Sequence, residues 1–401
     1  MRTNPTLSKT FQALPLEQQV EALTLLAPPT QKKQILVDIS HTIASGIKTG
    51  IQRVVNQQLH HLQHLDQSEY EITPVYLKLI DDKHHFLYAR NHQNPNILVD
   101  EPVTLTTNDI LYSSDLSVKT VQEAKDANIY KLYKALGTKI IFLVHDILPI
   151  TNPDYFPTNA KTIHTNWLNN IATISDTLIA TTATGKNTLD NWLNQNHYTL
   201  KTSYLHLGSD IQTKPQPKNH HTNQTPSFLI VGTLEPRKGH AQLIKAFTLL
   251  LEQNINITLT IVGKIGWNIE ETLTLLNTNP YLNKNIFYKN IISDEELQHL
   301  YTSSDALLIP SNAEGFGLPL IEAAHYNLPI IARDIEVFKE IATTNAHYFP
   351  NTQSPTDLAT SIKEWLTLQK TNTHPKPKGI KTQTWNQHSK KLLELIKISY
   401  N

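Results

Sequence analysis

Cysteine is absent from the 401 residues, which excludes a disulfide framework, a thiolate-bound zinc and a cysteine nucleophile. That absence is compatible with a cytoplasmic location. Net charge is absent too. Lys+Arg and Asp+Glu both number 35, so the chain lacks the basic excess of a general nucleic-acid binder. No apolar run reaches the ~18–20 residues a membrane span needs, and 1–33 lacks the apolar core of a signal peptide. A soluble protein is expected. The 19 histidines, including the pairs at 60–61, 84–85 and 220–221, lack the carboxylate or cysteine spacing of a metal site. They read as scattered surface residues, and no metal is expected.

What is present is alternation. Strand-length apolar runs at 35–39, 72–77, 85–88, 110–112, Lys139–Val144, Thr177–Ala180 and 203–207 are interleaved with helical stretches from Ile51 and over 117–136, Ala160–Ile174 and 185–196. A second block has strands at 228–231, 257–262, 286–288, Ala306–Ile309 and 330–332. Its helices are 241–253, 269–277, one capped by Ser293 with Glu296, one entered at Pro319, one over 354–368 and a last over 386–398. Between the blocks, 212–226 is polar and rich in Pro and Asn, as a linker is. The expected fold class is α/β, with two doubly wound Rossmann-like domains, 1–210 and 227–385, facing across a cleft and joined by 211–226.

Three places carry chemistry. In 306–332 a buried strand runs into a loop whose backbone amides at Gly315, Phe316, Gly317 and Leu318 stand at a helix N-terminus, a ready site for an anion. Glu314 and Glu322 bracket those amides; either alone reads as a loop carboxylate or a helix-dipole partner. In the second block's opening turn, GTLEPRKGH at 232–240, Arg237 supplies a fork of donors and Lys238 a point charge. Two cations at a helix start are unfavourable without an anion, although a solvated basic turn is the blander reading. Because they repel, loss of Lys238 is expected to leave the unliganded fold unharmed. In the first block, Lys139–Val144 delivers His145 and Asp146 to the carboxyl end of a central strand, where ligands of open α/β sheets gather. By position alone, His145 is equally a packing residue and Asp146 a loop brace. Gly46 and Gly50, in the loop after the first strand, are by spacing no more than turn formers.

Taken together, the E-x7-E pair Glu314 and Glu322, TGIQRVV at 49–55, HDILPITNPDYFP at 145–157, the basic turn and GKIGW at 263–267 resemble family-four retaining glycosyltransferases. Within that family they are similar to bacterial enzymes that build cell-surface polysaccharide, many of them mannosyl- or rhamnosyltransferases. The resemblance covers 36–207 loosely and 228–341 closely. It implies the GT-B fold and a nucleoside-diphosphate sugar donor, GDP-mannose first and dTDP- or GDP-rhamnose behind it, with no further cofactor. It also implies a glycan or lipid-linked glycan acceptor, handled in the cytoplasm or at the inner face of the membrane. Arg237, Lys238 and the 316–318 amides would hold the donor pyrophosphate, Glu322 the ribose and Glu314 the sugar hydroxyls, with Lys264 near the nucleotide. His145 would approach the donor sugar, and the Gly46–Gly50 loop would close over the transferred group. Many relatives carry arginine where this chain has Thr233, which leaves the phosphate charge to Arg237 and Lys238.

The same resemblance implies front-face attack with the leaving phosphate taking the acceptor proton, so no dedicated base is expected. It also implies that helix 386–401 returns to the first domain; its lysines would face either solvent or an anionic membrane. The alternatives are an inverting GT-B transferase or epimerase, and an inactive GT-B scaffold or glycan-binding subunit.

Overall fold

In the computed structural model, residues 9–26, 32–45, 50–66, 69–90, 101–209 and 225–400 are described. Gly46 and nearly all of the expected linker lie outside them. The chain forms two compact units, Met1–Ile147 with Thr162–Gly208 and Thr384–Asn401, and Leu148–Lys161 with Ser209–Gln383.

The first unit is built on a seven-stranded sheet of β1 Lys33–Asp38, β2 Tyr70–Ile80, β3 Lys83–Tyr88, β4 Ile110–Ser113, β5 Lys139–Val144, β6 Thr177–Ala180 and β7 Lys201–Tyr204, in the order β3-β2-β1-β4-β5-β6-β7. All pairs are parallel except β2 with β3. That hairpin is turned by Asp81 and Asp82, whose φ angles of 47° and 59° suit a tight two-residue turn. The apolar run KIIFLV becomes a central strand, between β4 and β6 and buried on both faces from Ile140 to Val144. The helix expected over 117–136 is two, Val118–Asp126 and Ile129–Ala135, broken at Asn128, which takes the left-handed conformation that asparagine tolerates. The strand expected at 203–207 starts two residues earlier. Part of the expected 40–50 loop is the short helix Ser40–Ser45.

The second unit's sheet contains β8 Ser227–Val231, β9 Thr258–Val262, β10 Ile286–Lys289, β11 Ala306–Ile309, β12 Ile330–Arg333 and β13 His347–Phe349, in the order β10-β9-β8-β11-β12-β13. Every pair is parallel. Strand order reverses between β8 and β11, and the crevice at the carboxyl ends of such a pair is where doubly wound sheets bind ligands. Phe228, Phe247 and Trp365 meet edge-to-face at 5.5 Å in the core beneath. Helix Glu336–Ala342 and β13 had no clear sequence signal: β13 is three residues long and half polar.

Residues 148–161, expected in the first domain, belong to the second unit. There the indole N–H of Trp267 donates to the Tyr155 carbonyl at 2.9 Å, and its ring stacks on Phe156 at 5.9 Å. The last helix, Trp385–Tyr400, packs on Gly50–Gln63 of the first unit and buries Leu392 and Ile396. A buried polar chain supports it: Tyr112 donates to Gln58 Oε1 at 3.0 Å, Gln58 Nε2 meets His388 Nε2 at 2.8 Å, and His388 Nδ1 meets the His206 carbonyl at 2.8 Å. Of that helix's lysines, Lys397 is committed to Glu69 at 2.7 Å. Among the described residues no helix is long and apolar enough to cross a membrane.

Candidate active site

The loop leaving β11 is fixed from three sides. Arg333, at the end of β12 and wholly buried, points Nε and Nη2 at the Pro310 carbonyl, 3.2 and 2.9 Å away, and also holds Gln242 Oε1 and the Thr352 carbonyl. The Asn312 amide donates to the Arg237 carbonyl at 2.7 Å, and Arg237 Nη1 donates to the Ala313 carbonyl at 2.8 Å. Gly239 has a φ of 71°, and a Cβ there would stand 2.3 Å from the Pro310 oxygen. Only glycine permits this approach of the basic turn to the loop.

Arg237 and Lys238 lie on a short 3-10 turn, Pro236–Lys238, just ahead of helix His240–Glu252. Their counter-charge comes from the chain itself. Glu314 receives Lys238 Nζ on Oε1 at 2.5 Å and Arg237 Nη1 on Oε2 at 2.7 Å, while Arg237 Nη2 reaches Glu235 Oε1 at 2.5 Å. Side-chain exposures of 14%, 15% and 8% for Arg237, Lys238 and Glu314 place the cluster out of bulk water. Burial alone would raise the Glu314 carboxyl; the two cations overcome it and hold the pKa at about 2. At Glu235 burial wins over the same cations and the carboxyl titrates above its usual range. Neither solvated turn nor bare anion site describes this arrangement. It is a neutral buried cluster of two cations and two carboxylates. His240, buried beside it with neither ring nitrogen hydrogen-bonded, is held neutral by burial and by Lys238, its pKa lowered to about 3.

Helix Leu318–His325 begins where the loop ends. Gly317, at φ 95°, is its cap, and Pro319 takes the second helical position rather than the first. The N–H groups of Gly317 and Leu318 make no hydrogen bond to the described residues. Phe316, expected as a bare amide, also buries its ring. Glu322, expected to stand in a cleft outside the core, is buried, and its Oε2 accepts from Tyr301 Oη at 2.7 Å. Tyr301 comes from helix Asp294–Ser303 and stacks on Tyr326 at 5.3 Å.

The structure therefore brings together Arg237, Lys238 and Glu314, with Gly315, Phe316, Gly317 and Leu318 following in the same loop, while Glu322 stands one helical turn further on with Tyr301 as its partner. Lys264, in the turn after β9, is exposed and gives its carbonyl to the Leu234 amide at 2.8 Å; its side chain takes no part in the cluster. His145 belongs to the first unit, at the carboxyl end of β5. Its Nε2 lies 2.7 Å from the Ser114 carbonyl, and burial lowers its pKa, so the ring is neutral with its proton on Nε2. Gly50 is the exposed first residue of helix Gly50–Gln63, where a Cβ would meet nothing within 4 Å. Among the described residues no group of three or more His, Asp or Glu is arranged to hold a metal. Sequence reasoning missed Glu235, His240, Tyr301 and Arg333. The first two stand inside the basic motif and could have been found there; Tyr301 and Arg333 arrive from elements distant in sequence.

Two doubly wound units carried on one chain, with the second unit's crevice built around a carboxylate pair and a basic turn, define a GT-B protein. Solved structures agree. Anabaena HepE, in complex with UDP and glucose, aligns with 92% of this chain and 100% of its own at a TM-score of 0.62 and 15% identity. Sucrose-phosphate synthase from Thermosynechococcus elongatus aligns with 92% and 99% at 0.62 and 16%. Residues 211–382 match the family Glycosyl transferases group 1. It is 37% identical over 382 residues to the serotype-specific mannosyltransferase WbdA of Escherichia coli, covering 91% of this chain and 46% of that protein. It is also 28% identical over 207 residues to the O-antigen chain mannosyltransferase RfbU of Salmonella typhimurium, covering 51% of this chain and 55% of that protein. The chain thus spans about half the length of the curated relatives it matches.

Proposed function

We propose that this protein transfers mannose from a nucleoside-diphosphate mannose, GDP-mannose in first place, to a glycan or lipid-linked glycan during synthesis of a surface polysaccharide. The transfer would retain the anomeric configuration, need no metal, and take place in the cytoplasm or at the inner face of the membrane. The observation that carries this reading is the buried cluster of Lys238, Arg237 and Glu314 beside the Gly317 and Leu318 amides. The likeness to two mannosyltransferases supports the choice of sugar.

In this mechanism the donor diphosphate takes the two amides and competes with Glu314 for Lys238. Charge that develops on the leaving diphosphate then meets a fixed cation and preorganised N–H donors, which act without reorganisation as the glycosidic bond breaks. Released from one cation, Glu314 gains a free acceptor for a sugar hydroxyl. Glu322, braced by Tyr301, would accept from the ribose, and Lys264 would lie near the nucleotide. His145, its Nε2 proton committed to Ser114, offers only Nδ1, so it would accept from a sugar hydroxyl and orient the donor. The loop of Gly46 and Gly50 is assigned to closure over the transferred group.

A nucleotide-sugar panel, assayed with and without glycan acceptors, tests the proposal. Mannose transfer, or slow hydrolysis of GDP-mannose without acceptor, is expected. Tight binding of GDP-mannose with no turnover under any acceptor would replace the enzyme with a glycan-binding scaffold. A thermal-shift comparison of GDP, UDP and dTDP identifies the base.

A further inference from the structure

At the end of β5 opposite His145 lies a cavity of about 680 Å³, bordered by Lys125, Lys131, Lys134, Thr138, Lys139 and Asp176. Thr138 and Asp176 immediately precede β5 and β6, so the cavity opens at the amino ends of these strands. Six strand residues, ~20 Å, separate it from His145. The break at Asn128 creates the site, since Lys125 comes from the helix before it, and Lys131 and Lys134, three residues apart on one face, come from the helix after it.

Positive charge collects here without its counterpart. Four lysines border the cavity against one aspartate, a net of three positive charges. Asp176 is already shared: Lys134 and Lys139 both lie 3.6 Å from its Oδ1, and Oδ2 accepts the Ile140 amide at 2.9 Å. The other partners of these lysines are neutral, namely Asn170 Oδ1 for Lys125 at 2.6 Å, the Ile174 carbonyl for Lys134 at 2.9 Å and Gln18 Oε1 for Lys131 at 3.4 Å. A second, independent feature is the Thr138 hydroxyl. The residue is 2% exposed, lines the cavity and leaves Oγ1 with no hydrogen-bond partner. Among the described residues six hydroxyls are buried without a partner, and two of them, Thr138 and Tyr130, border this one cavity.

We infer that this cavity is a second anion-binding site, separate from the donor site, for a ligand carrying a diphosphate. Lysines bind phosphate oxygens as point charges, and Thr138 can donate to one oxygen at the cavity floor. The charge suits more than a single phosphate, and the volume lies in the ~300–1,000 Å³ range of small-molecule sites, leaving room for a substituent on the diphosphate.

Calorimetric titration of the full chain with inorganic pyrophosphate tests this. Two sites per chain are expected, one from the cavity and one from the donor loop. Lys131→Glu and Thr138→Val should each weaken one site tenfold or more and spare the other, and Lys238→Ala should do the reverse. Thr138→Val keeps the shape of the side chain, so an unchanged or higher melting temperature reports an intact fold. Titration with GDP then distinguishes a nucleotide from free diphosphate as the natural occupant. A single site that Lys238→Ala abolishes, or cavity affinity unaltered by both Lys131→Glu and Thr138→Val, overturns the inference.

Discussion

Lys238 Nζ and Arg237 Nη1 hold opposite oxygens of Glu314, at 2.5 and 2.7 Å, so one buried carboxylate clamps two adjacent cations before any substrate arrives. Removing the carboxylate leaves both cations buried beside each other. Breaking a buried pair from one side typically costs ~3–5 kcal/mol. Glu314→Gln should therefore lower the melting temperature, with GDP restoring part of the loss by binding the native state. Scanning calorimetry with and without GDP checks this; an unaltered melting temperature would mean the cluster contributes nothing to the fold.

Lys238→Ala should act on rate and on stability. Loss of a contact that strengthens in the transition state costs ~3–4 kcal/mol, about 10²–10³ in kcat, with a smaller effect on the donor KM. The sequence, read as two repelling cations, leads one to expect an unharmed or steadier fold. Because Lys238 is one of two partners of a buried Glu314, the melting temperature should instead fall. Steady-state kinetics at saturating acceptor and a melting curve decide both points, and a pure KM effect would make Lys238 a uniform binder.

Tyr301→Phe should weaken GDP binding without touching the nucleotide, because Glu322 loses the hydroxyl that orients it. Losing a hydrogen bond to a carboxylate costs ~1.5–3 kcal/mol. Glu322→Ala should weaken binding at least as much. Equal GDP affinity in wild type and both variants would remove this pair from the ribose site.

Acid should destabilise the protein in two stages. Burial lowers the His388 pKa from 6.5 to about 4, so its neutral form is the folded form. Its contribution is complete above 6.5 and is lost as pH falls from there towards 4, and His240, lowered to about 3, adds a parallel loss from 6.5 towards 3. Glu314, depressed from 4.5 to about 2, contributes above 4.5 and loses that contribution between 4.5 and 2. His388→Asn should make the melting-temperature profile shallower between pH 6.5 and 4, leaving the slope that His240 contributes, and should not change it below 4. A profile in the variant as steep as in wild type would locate the first stage elsewhere.

Turnover should survive excess EDTA, since fixed cations and amides already face the proposed leaving group. Activity lost to the chelator and restored by Mg²⁺ or Mn²⁺ would contradict the proposed mechanism.

Much of this site was legible because it is local. Strands such as Lys139–Val144 and Ala306–Ile309 announce themselves as unbroken apolar runs, and the glycines, proline and charges that follow stand in fixed order. What escaped the sequence was pairing at a distance. Nothing near Arg237 says that Glu314, 77 residues later, will neutralise it. Nor does the helical pattern around Tyr301 reveal that its hydroxyl ends on Glu322. Arg333 falls just past the strand expected at 330–332, yet its side chain fixes Pro310 from the next strand over. The break at Asn128 was hidden by helical periodicity continuing through it.

The chain passes between its two units four times, at 147–148, 161–162, 208–209 and 383–384. A cut within 210–224 therefore does not yield two self-sufficient halves. The amino-terminal piece would keep 148–161 without the Trp267 that receives it, and would bare the face of helix Gly50–Gln63 that Leu392 and Ile396 cover. The carboxy-terminal piece would carry helix Trp385–Tyr400 with its apolar side uncovered. Each fragment alone should aggregate, while the two expressed together should reassemble by exchanging these segments, so the protein is better dissected by circular permutation than by truncation.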